Sequence, residues 1–389
     1  MVRGNKIFII LFFQLFVLEN LYAVKLDINI YNSFEITSID FNPLTGKYTL
    51  EADESIIRNF NKQDTVNITP FKDSILLQIN HHNIGVYKTV SFYGRGFINA
   101  FTLSATHKKL PSRSYDDNLK IKNIAGKLQL INNVELEHYV AGVVQSEGGG
   151  SSDDIQFFFV QAISCRTYAL VNYLKHTIDG YNLCDEVHCQ YYTGRCENSD
   201  ITRAVARTSG EVIVDSNYRM ISAAFSSNCG GETVNSEDVW SLPTSYLKSV
   251  EDTFCTSMSK ARWEIKLPKE DFLNTLSIAY NFPINDSATV DSALNFTQKH
   301  RKVLFINNIP LKLIRKEFVL RSTFFSTETK ADTTYIHGRG FGHGVGLCQQ
   351  GAIKMAELGF DYHDIIKFYY KNTHIVHYSE LKYNFMPQF

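Results

Sequence analysis

Residues 136–150 read LEHYVAGVVQSEGGG and mark the point where the pattern of the chain changes from strands to helices. Five apolar residues recur at helical spacing on one face of this segment: Leu136, Tyr139, Val140, Val143 and Val144. We predict a helix that stops with Gly148 in the C′ position, which puts Glu147 in the last turn. A carboxylate followed by three glycines has nothing bulky beside it that would keep a ligand away.

The segments on either side of this helix have different patterns. From 24 to about 104, short alternating runs such as LDINIY and DSILLQI lie between turn-forming residues, which predicts antiparallel strands. A second helix is predicted over about 153–176, capped by Ser152 or Asp153. A hairpin is predicted in residues 210–232, GEVIVDSNYRMISAAFSSNCGGE. This irregular interleaving predicts an α+β fold rather than a wound parallel sheet.

The length of the chain predicts two lobes rather than a single core. Arg3, Lys6 and a following apolar run of about a dozen residues, too short to span a bilayer, are typical of a signal peptide cleaved near Ala23. We therefore predict an exported protein of the periplasm or cell envelope. The predicted parts are a signal peptide at 1–23, a β-rich accessory lobe at 24–118, a mixed α/β catalytic region at 119–375 with an insertion at about 266–332, and a tail at 376–389, with a cleft between the lobes.

The charge balance and the cysteines limit the functions that are open to the chain. Lys and Arg number 39 against 40 Asp and Glu, so the chain has no global attraction to nucleic acid. The cysteine count of seven is odd, which leaves at least one thiol free or bound to a metal.

The run HGRGFGHGVGLCQQGA, residues 337–352, places glycines at alternate positions. It does not fit the G-x-G-x-x-G fingerprint of dinucleotide-binding proteins. If the run is extended, one face is bare and Arg339, Phe341, His343 and Val345 share the other face. The alternative is an irregular glycine loop with a structural His343, and the residues alone do not decide between the two.

A compact set of metal-ligating residues follows the second predicted helix. His176, Cys184, His188 and Cys189 have the spacing H-x7-C-x3-H-C, and zinc accepts two cysteines and two histidines. The spacing is not that of a standard zinc finger, and a Cys184–Cys189 disulfide is equally natural outside the cytoplasm. Metal and disulfide therefore both remain open.

The chain resembles the stage II sporulation protein D/LytB family of cell-wall lytic enzymes. The resemblance covers about 119–373, in the family's order of blocks. These blocks are VELEHYVAGVVQSE, VQAISCRTYAL, LCDEVHCQYYTG, AVARTSGEVI, SSNCGGET with VWSLPTSYLKSV, LRSTFF, and GRGFGHGVGLCQQGAIKMAELGFDYHDIIKFYY. It implies a lytic transglycosylase that acts on peptidoglycan glycan strands, in the sporulation members on strands already stripped of stem peptides.

The resemblance also assigns roles to residues. The acidic residue of the family falls on Glu147, which would protonate the glycosidic oxygen and then accept the proton of the muramic acid C6 hydroxyl. Arg166 is the best candidate to fix Glu147 or to bind the sugar acid. Five further residues match family blocks and are assigned to substrate binding: Gln161, Tyr168, Ser227, His343 and Gln349.

Some family members carry zinc near the LCDxxHC block, onto which Cys184, His188 and Cys189 map. The resemblance therefore implies a structural zinc ion that His176, by proximity, would complete, and no cofactor for the chemistry. Two departures stand out. Gly148-Gly149 stands where many relatives have Met-Pro, and Cys229 stands where a serine is common in the family. The second departure suggests a Cys229–Cys255 disulfide.

Two other functions are considered. A non-catalytic glycan-binding protein could activate a separate cell-wall amidase, but it would not need a carboxylate at position 147. A zinc-dependent peptidase or amidase is disfavoured because the chain has no H-E-x-x-H motif. The expected partners are glycan strands and an amidase.

Overall fold

The structure is a computed structural model, and it describes residues 24–60, 62–105, 110–240, 242–302 and 305–381. The predicted signal peptide lies outside the described residues, as does most of the predicted C-terminal tail. In the described part of the chain, no helix is long and apolar enough to cross a membrane.

A large, mostly antiparallel sheet takes up the first part of the chain. Its strands are β1 (Lys25–Ile30), β2 (Ile39–Ala52), β3 (Ser55–Phe60), β4 (Val66–Phe71), β5 (Ser74–Ile79), β6 (His82–Tyr87), β7 (Thr89–Ala105), β8 (Arg113–Asp116), β9 (Asn118–Ile124) and β10 (Lys127–Glu135). They lie in the order β1-β10-β9-β7-β2-β4-β5-β6, with β3 paired to β2 and β8 to β7. Burial alternates along β5, where Ile75, Leu77 and Ile79 face the core, as the alternating pattern predicts.

Strand pairing continues across the boundary that the sequence places at residue 118. β9 pairs with β7 on one side and with β10 on the other. Buried Phe101, Leu119 and Tyr139 belong to one hydrophobic core. The described strands before and after residue 118 therefore share a sheet and a core with the first helix.

The helices that follow pack on one another and on the end of this sheet. They and the short strands between them are α1 (Leu136–Gly148), α2 (Ile155–Val171), β11 (Leu183–Cys184), α3 (Ser199–Arg207), β12 (Glu211–Asp215), β13 (Phe225–Ser226) and α4 (Ser236–Trp240). α1 includes Gly148, and its C-cap is Gly149 with a right-handed φ of −64°, so the prediction that Gly148 takes the C′ position is wrong. The cap of α2 is Asp154, which accepts the N–H of Gln156, rather than the predicted Ser152 or Asp153.

The predicted insertion lies within a segment that has a small core of its own. Its elements are β14 (Arg262–Pro268), α5 (Lys269–Tyr280), α6 (Ser287–Leu294), β15 (Phe305–Ile306), β16 (Ile309–Pro310), α7 (Leu311–Glu317), β17 (Phe325–Lys330) and β18 (Thr333–Arg339). Trp263, Phe272 and Ile336 belong to this second core. The segment supplies Arg315, which lines the cavity described below, and its last strand, β18, leads directly into the glycine run.

The last elements return the chain to the first core. They are β19 (Leu347–Cys348), α8 (Gln349–Glu357), α9 (Tyr362–Tyr369) and β20 (Thr373–His377). Asp361 caps α9 by accepting the N–H of Asp364, as predicted. The hairpin predicted at 210–232 is limited to a turn that brings Met220 beside Val214. Its two strands pair elsewhere, β12 with β20 and β13 with β19. The predicted α+β fold is confirmed.

Gly142 offers a test of how closely α1 packs. A Cβ at this helical position would overlap the carbonyl oxygen of Gly194 and the ring of Tyr192. We expect Gly142→Ala to lower the free energy of unfolding by about 1–3 kcal/mol, because overpacking outweighs the better helix propensity of alanine. Urea denaturation measures this change. Gly150→Ala is the control, since a Cβ there meets nothing within 4 Å, and equal stability of the two variants would contradict the packing.

Candidate functional site

A cavity of about 780 Å³ lies at the C-terminal end of α1. Five of the residues that the sequence assigns to the site line it: Glu147, Tyr168, Ser227, His343 and Gln349. His188 and Cys189 also reach its wall. Residues about 200 positions apart in the sequence are thus brought together by the return of the chain through β19 and α8.

Glu147 is partly buried in the last turn of α1. Its Oε1 accepts the backbone N–H of Tyr191 at 2.9 Å. Burial raises the pKa of Glu147, while this hydrogen bond and the positive charge of Lys260 oppose the rise. The net result is a carboxyl group that stays protonated to a higher pH than an ordinary glutamate. Among the described residues that line the cavity, Glu147 alone carries a carboxylate.

Lys260 is a cavity residue that the sequence reasoning missed. Its Nζ lies 2.9 Å from Ser227 Oγ and 5.5 Å from the centre of the Phe341 ring. Its backbone N–H donates to Gln350 Oε1 at 3.1 Å, which fixes the segment against the start of α8. A single lysine in SMSKARW carries no motif, so no signal in the sequence pointed to it.

His343 stands on an irregular glycine loop, residues 340–346, and the extended interpretation of this run is wrong. Gly340, Gly342, Gly344 and Gly346 all have positive φ, between 70° and 111°, so the chain bends at every second residue. A Cβ at Gly344 would also overlap the guanidinium of Arg301.

The surroundings of His343 keep its side chain neutral. Its Nδ1 accepts the N–H of Val345 at 3.0 Å, which requires this nitrogen to be unprotonated. Burial and the positive charge of Arg301 lower its pKa to about 4. The ring of Trp240 packs against it, with 5.2 Å between ring centres. His343 is therefore a neutral hydrogen-bonding group in the wall at neutral pH.

Gln161 lies behind the cavity rather than in its wall. Its side chain is fully buried, and its Oε1 accepts from Gln349 Nε2 at 3.4 Å. Gln349 lines the cavity, so Gln161 positions a wall residue and has no exposed surface to offer a ligand. Tyr168 lines the cavity, and burial raises the pKa of its hydroxyl.

His176, Cys184, His188 and Cys189 come together as one group, here called the histidine–cysteine cluster. Their ligand atoms all lie within 4.8 Å of one another. Cys189 Sγ is 3.5 Å from His176 Nε2, and Cys184 Sγ is 3.8 Å from His188 Nδ1. Ligand atoms around a tetrahedral zinc ion are about 3.3–3.8 Å apart, so the donor set fits a metal. Both cysteines are free thiols in the structure.

The comparisons with known proteins identify the family. A family model described as "Stage II sporulation protein" matches residues 125–214. Stage II sporulation protein D of Bacillus subtilis is 32% identical over 271 residues, which cover 64% of this chain and 76% of that protein. The chain belongs to the stage II sporulation protein D/LytB family.

Two further relatives match shares of this chain of similar size. An uncharacterized protein of Brachyspira hyodysenteriae is 30% identical over 66% of this chain and 71% of its own length. The amidase enhancer of Bacillus subtilis is 26% identical over 61% of this chain, but only 40% of that protein is covered.

Arg166, in the block that resembles the family's ARTYAL, is not placed as the sequence reasoning expected. Its guanidinium is fully buried and binds Glu137 instead of Glu147, with Nε 2.9 Å from Oε1. Nη1 donates to the carbonyl of Glu211 at 3.1 Å, and Nη2 donates to that of Val205. The expectation that Arg166 fixes Glu147 or binds a sugar acid is therefore corrected. Arg166 instead ties α1 and α2 to α3 and β12.

This ion pair gives a second prediction. Arg166→Met should lower the free energy of unfolding by about 3 kcal/mol, because Glu137 and two carbonyls lose their donor in a buried place. The control is Arg203→Met, which removes an exposed partner of Asp200 and should change stability by less than about 0.5 kcal/mol. Urea denaturation of both variants checks this. A stable Arg166→Met protein that no longer binds glycan would restore the ligand-binding role.

Proposed function

We propose that this protein is a lytic transglycosylase of the cell envelope that cleaves peptidoglycan between N-acetylmuramic acid and N-acetylglucosamine. The observation that carries the proposal is the partly buried Glu147, which is the one carboxylate among the described lining residues and has a raised pKa. Glycoside hydrolases generally need a second carboxylate, which either activates the attacking water or itself attacks the sugar. A lone acid suits a reaction whose nucleophile is built into the substrate. The fold and the family membership are consistent with this reaction.

The first step uses Glu147 as an acid. Its protonated carboxyl donates a proton to the bridging oxygen, and the bond from this oxygen to C1 of the muramic acid breaks. The leaving N-acetylglucosamine carries the proton as a new hydroxyl. Burial supports this step because it keeps the proton on Glu147 at a pH where an exposed glutamate is ionised.

The second step uses the same carboxylate as a base. The C6 hydroxyl of the muramic acid attacks C1 and transfers its proton to Glu147, which closes a 1,6-anhydro ring and consumes no water. The attacking group is part of the same sugar, so its effective concentration is high and no second catalytic residue is needed to hold it. The N–H of Tyr191 and the charge of Lys260 stabilise the carboxylate between the two steps.

The remaining wall of the cavity would bind the glycan strand. Tyr168, Ser227, His343 and Gln349 offer hydrogen-bonding groups to sugar hydroxyl and amide groups. Trp240 and Phe341 present aromatic surface on which sugar rings pack. We propose a strand without stem peptides as the substrate, because the resemblance implies this preference.

We also propose that zinc occupies the histidine–cysteine cluster as a structural ion. Two sulfurs and two imidazole nitrogens complete a tetrahedral shell, which leaves no open position for a substrate or a water molecule. The ion would hold the segment that leads to Tyr191, whose N–H binds Glu147. In this role His188 and Cys189 shape the wall, and Glu147 does the chemistry.

A second candidate function rests on one relative. The amidase enhancer of Bacillus subtilis matches this chain over the shared region, so a glycan-binding protein that stimulates a cell-wall amidase is the alternative. The two functions make different demands on Glu147. A binding protein needs at most a side chain of this size at position 147, whereas a transglycosylase needs a carboxyl group that donates and accepts a proton.

The decisive test compares wild type with Glu147→Gln on amidase-treated peptidoglycan. We expect mass spectrometry to find 1,6-anhydromuramic products with wild type and a loss of at least about 1000-fold in their rate with the variant, because glutamine cannot donate or accept the proton. Glycan pull-down should show that the variant still binds. Wild-type protein that binds strands without cleaving them, and that speeds a separate amidase, would favour the alternative.

Lys260 gives a pH-dependent prediction. Its positive charge lowers the pKa of Glu147, so Lys260→Met should raise that pKa and leave the acid form present at higher pH. We expect the alkaline limb of kcat/KM against pH to move to higher pH in this variant.

Lys260→Arg is the matched control, because it keeps the charge and should keep the limb in place. The position of the limb is the readout, since either substitution can lower the maximum rate through the contact with Ser227. An unmoved limb in Lys260→Met would show that Lys260 does not act on the acid.

A further inference from the structure

A second group of metal-ligating side chains lies outside the cavity and takes no part in the proposed reaction. Cys229, Asp252, Cys255 and Cys348, here called the three-cysteine cluster, place their ligand atoms within 4.8 Å of one another. All four residues are buried, at 0% exposure. They come from three segments that are distant in the sequence, so the cluster has no motif by which a sequence search would find it.

The distances within the three-cysteine cluster are close to those of a metal shell. Cys229 Sγ lies 3.5 Å from Cys255 Sγ and 3.2 Å from Asp252 Oδ2. Sulfur and oxygen ligands of a tetrahedral zinc ion are about 3.3–3.8 Å apart. Three sulfurs and one carboxylate are also a donor set that zinc accepts.

The groups around the cluster are arranged for negatively charged ligands. Cys348 Sγ accepts two backbone N–H groups, from Cys229 at 3.2 Å and from Gly351 at 3.4 Å, the second in the first turn of α8. Donors directed at sulfur stabilise thiolates, which are the form that binds metal.

The carboxylate is also held for coordination. Tyr369 Oη donates to Asp252 Oδ2 at 2.9 Å, and the N–H of Cys255 donates to Oδ1 at 3.2 Å. Such second contacts orient a ligating carboxylate. Arg301 adds a buried positive charge nearby, with Nη1 donating to the carbonyl of Cys229 at 3.0 Å. It offsets part of the charge that three thiolates and a carboxylate leave around a divalent ion.

We propose that the three-cysteine cluster is a second structural zinc site, distinct from the histidine–cysteine cluster. The ion would join three segments that each lead into the cavity wall. Cys229 is two residues from Ser227, Cys255 is five from Lys260, and Cys348 directly precedes Gln349. The metal site would therefore fix the relative positions of these wall residues without contacting the substrate.

The competing interpretation is the Cys229–Cys255 disulfide that the sequence raises. A disulfide would use two of the three sulfurs, and it would leave Cys348 and Asp252 buried beside it with the donors of the site still directed at them. A metal ion uses all four groups. Both states can be measured directly, so the choice is open to experiment.

The test counts metal in purified protein and does not depend on glycan cleavage. Protein is prepared with reductant and zinc and then freed of loosely bound metal, and its zinc content is measured by elemental mass spectrometry. We expect about two ions per chain in wild type. Cys184→Ser/Cys189→Ser and Cys229→Ser/Cys348→Ser should each retain one. Cys196→Ser, a thiol outside both clusters, should retain two.

A second measurement covers the case in which the Cys229→Ser/Cys348→Ser protein does not fold. Cys184→Ser/Cys189→Ser protein is loaded with Co²⁺ alone, and a thiolate-to-cobalt absorption band reports the three-cysteine cluster. The proposal would be overturned if wild type held a single zinc ion, if Cys184→Ser/Cys189→Ser held none, and if that variant showed no cobalt band. A peptide in which Cys229 is joined to Cys255 in the protein as isolated would overturn it in favour of the disulfide. Failure of glycan cleavage would bear on the transglycosylase and not on the metal count.

Discussion

The site depends on the docking of the chain after Cys189 onto the C-terminal end of α1. The N–H of Tyr191 binds Glu147, the N–H of Thr193 binds Ser146 Oγ at 3.0 Å, and the N–H of Glu197 binds Gln145 Oε1 at 2.7 Å. Three successive side chains of α1 thus satisfy backbone donors that an ordinary loop would leave to water. Gly142 lets this segment approach the helix closely. Removal of this contact would expose Glu147 to solvent and remove the burial that raises its pKa.

Opposing electrostatic effects keep Glu147 between an acid and a base. Burial favours the neutral form, and one hydrogen bond and one lysine favour the charged form. A histidinium nearby would add a further positive charge, but burial and Arg301 keep His343 neutral. A single group that must first give and then take a proton works best when neither form is strongly favoured. The neutrality of His343 therefore keeps a further positive charge out of the cavity wall.

Local patterns in the sequence predicted a large part of this arrangement. Helical spacing located α1 and the position of Glu147, Asp361 marked the start of α9, and short spacing grouped the histidine–cysteine cluster. Some of the failures are local, such as the end of α1 and the cap of α2, and others concern contacts between distant segments. Arg166 lies on an apolar helix, α2, and its partner Glu137 lies on a different helix, α1, and no periodicity in the sequence indicates such a pair. The glycine run was ambiguous because alternation describes a strand and a loop of alternating positive φ equally well.

The three-cysteine cluster shows why long-range contacts matter most in this fold. The wall of the cavity is built partly from loops and from very short strands such as β13 and β19, which pair with each other over two residues. Such a wall needs specific links between its segments. Arg301 supplies one link by donating to the carbonyls of Cys229 and His343, and Asn228 supplies another through Gln350. A metal ion between Cys229, Cys255 and Cys348 would add a further link at the same junction, where the strand pairing extends over only two residues.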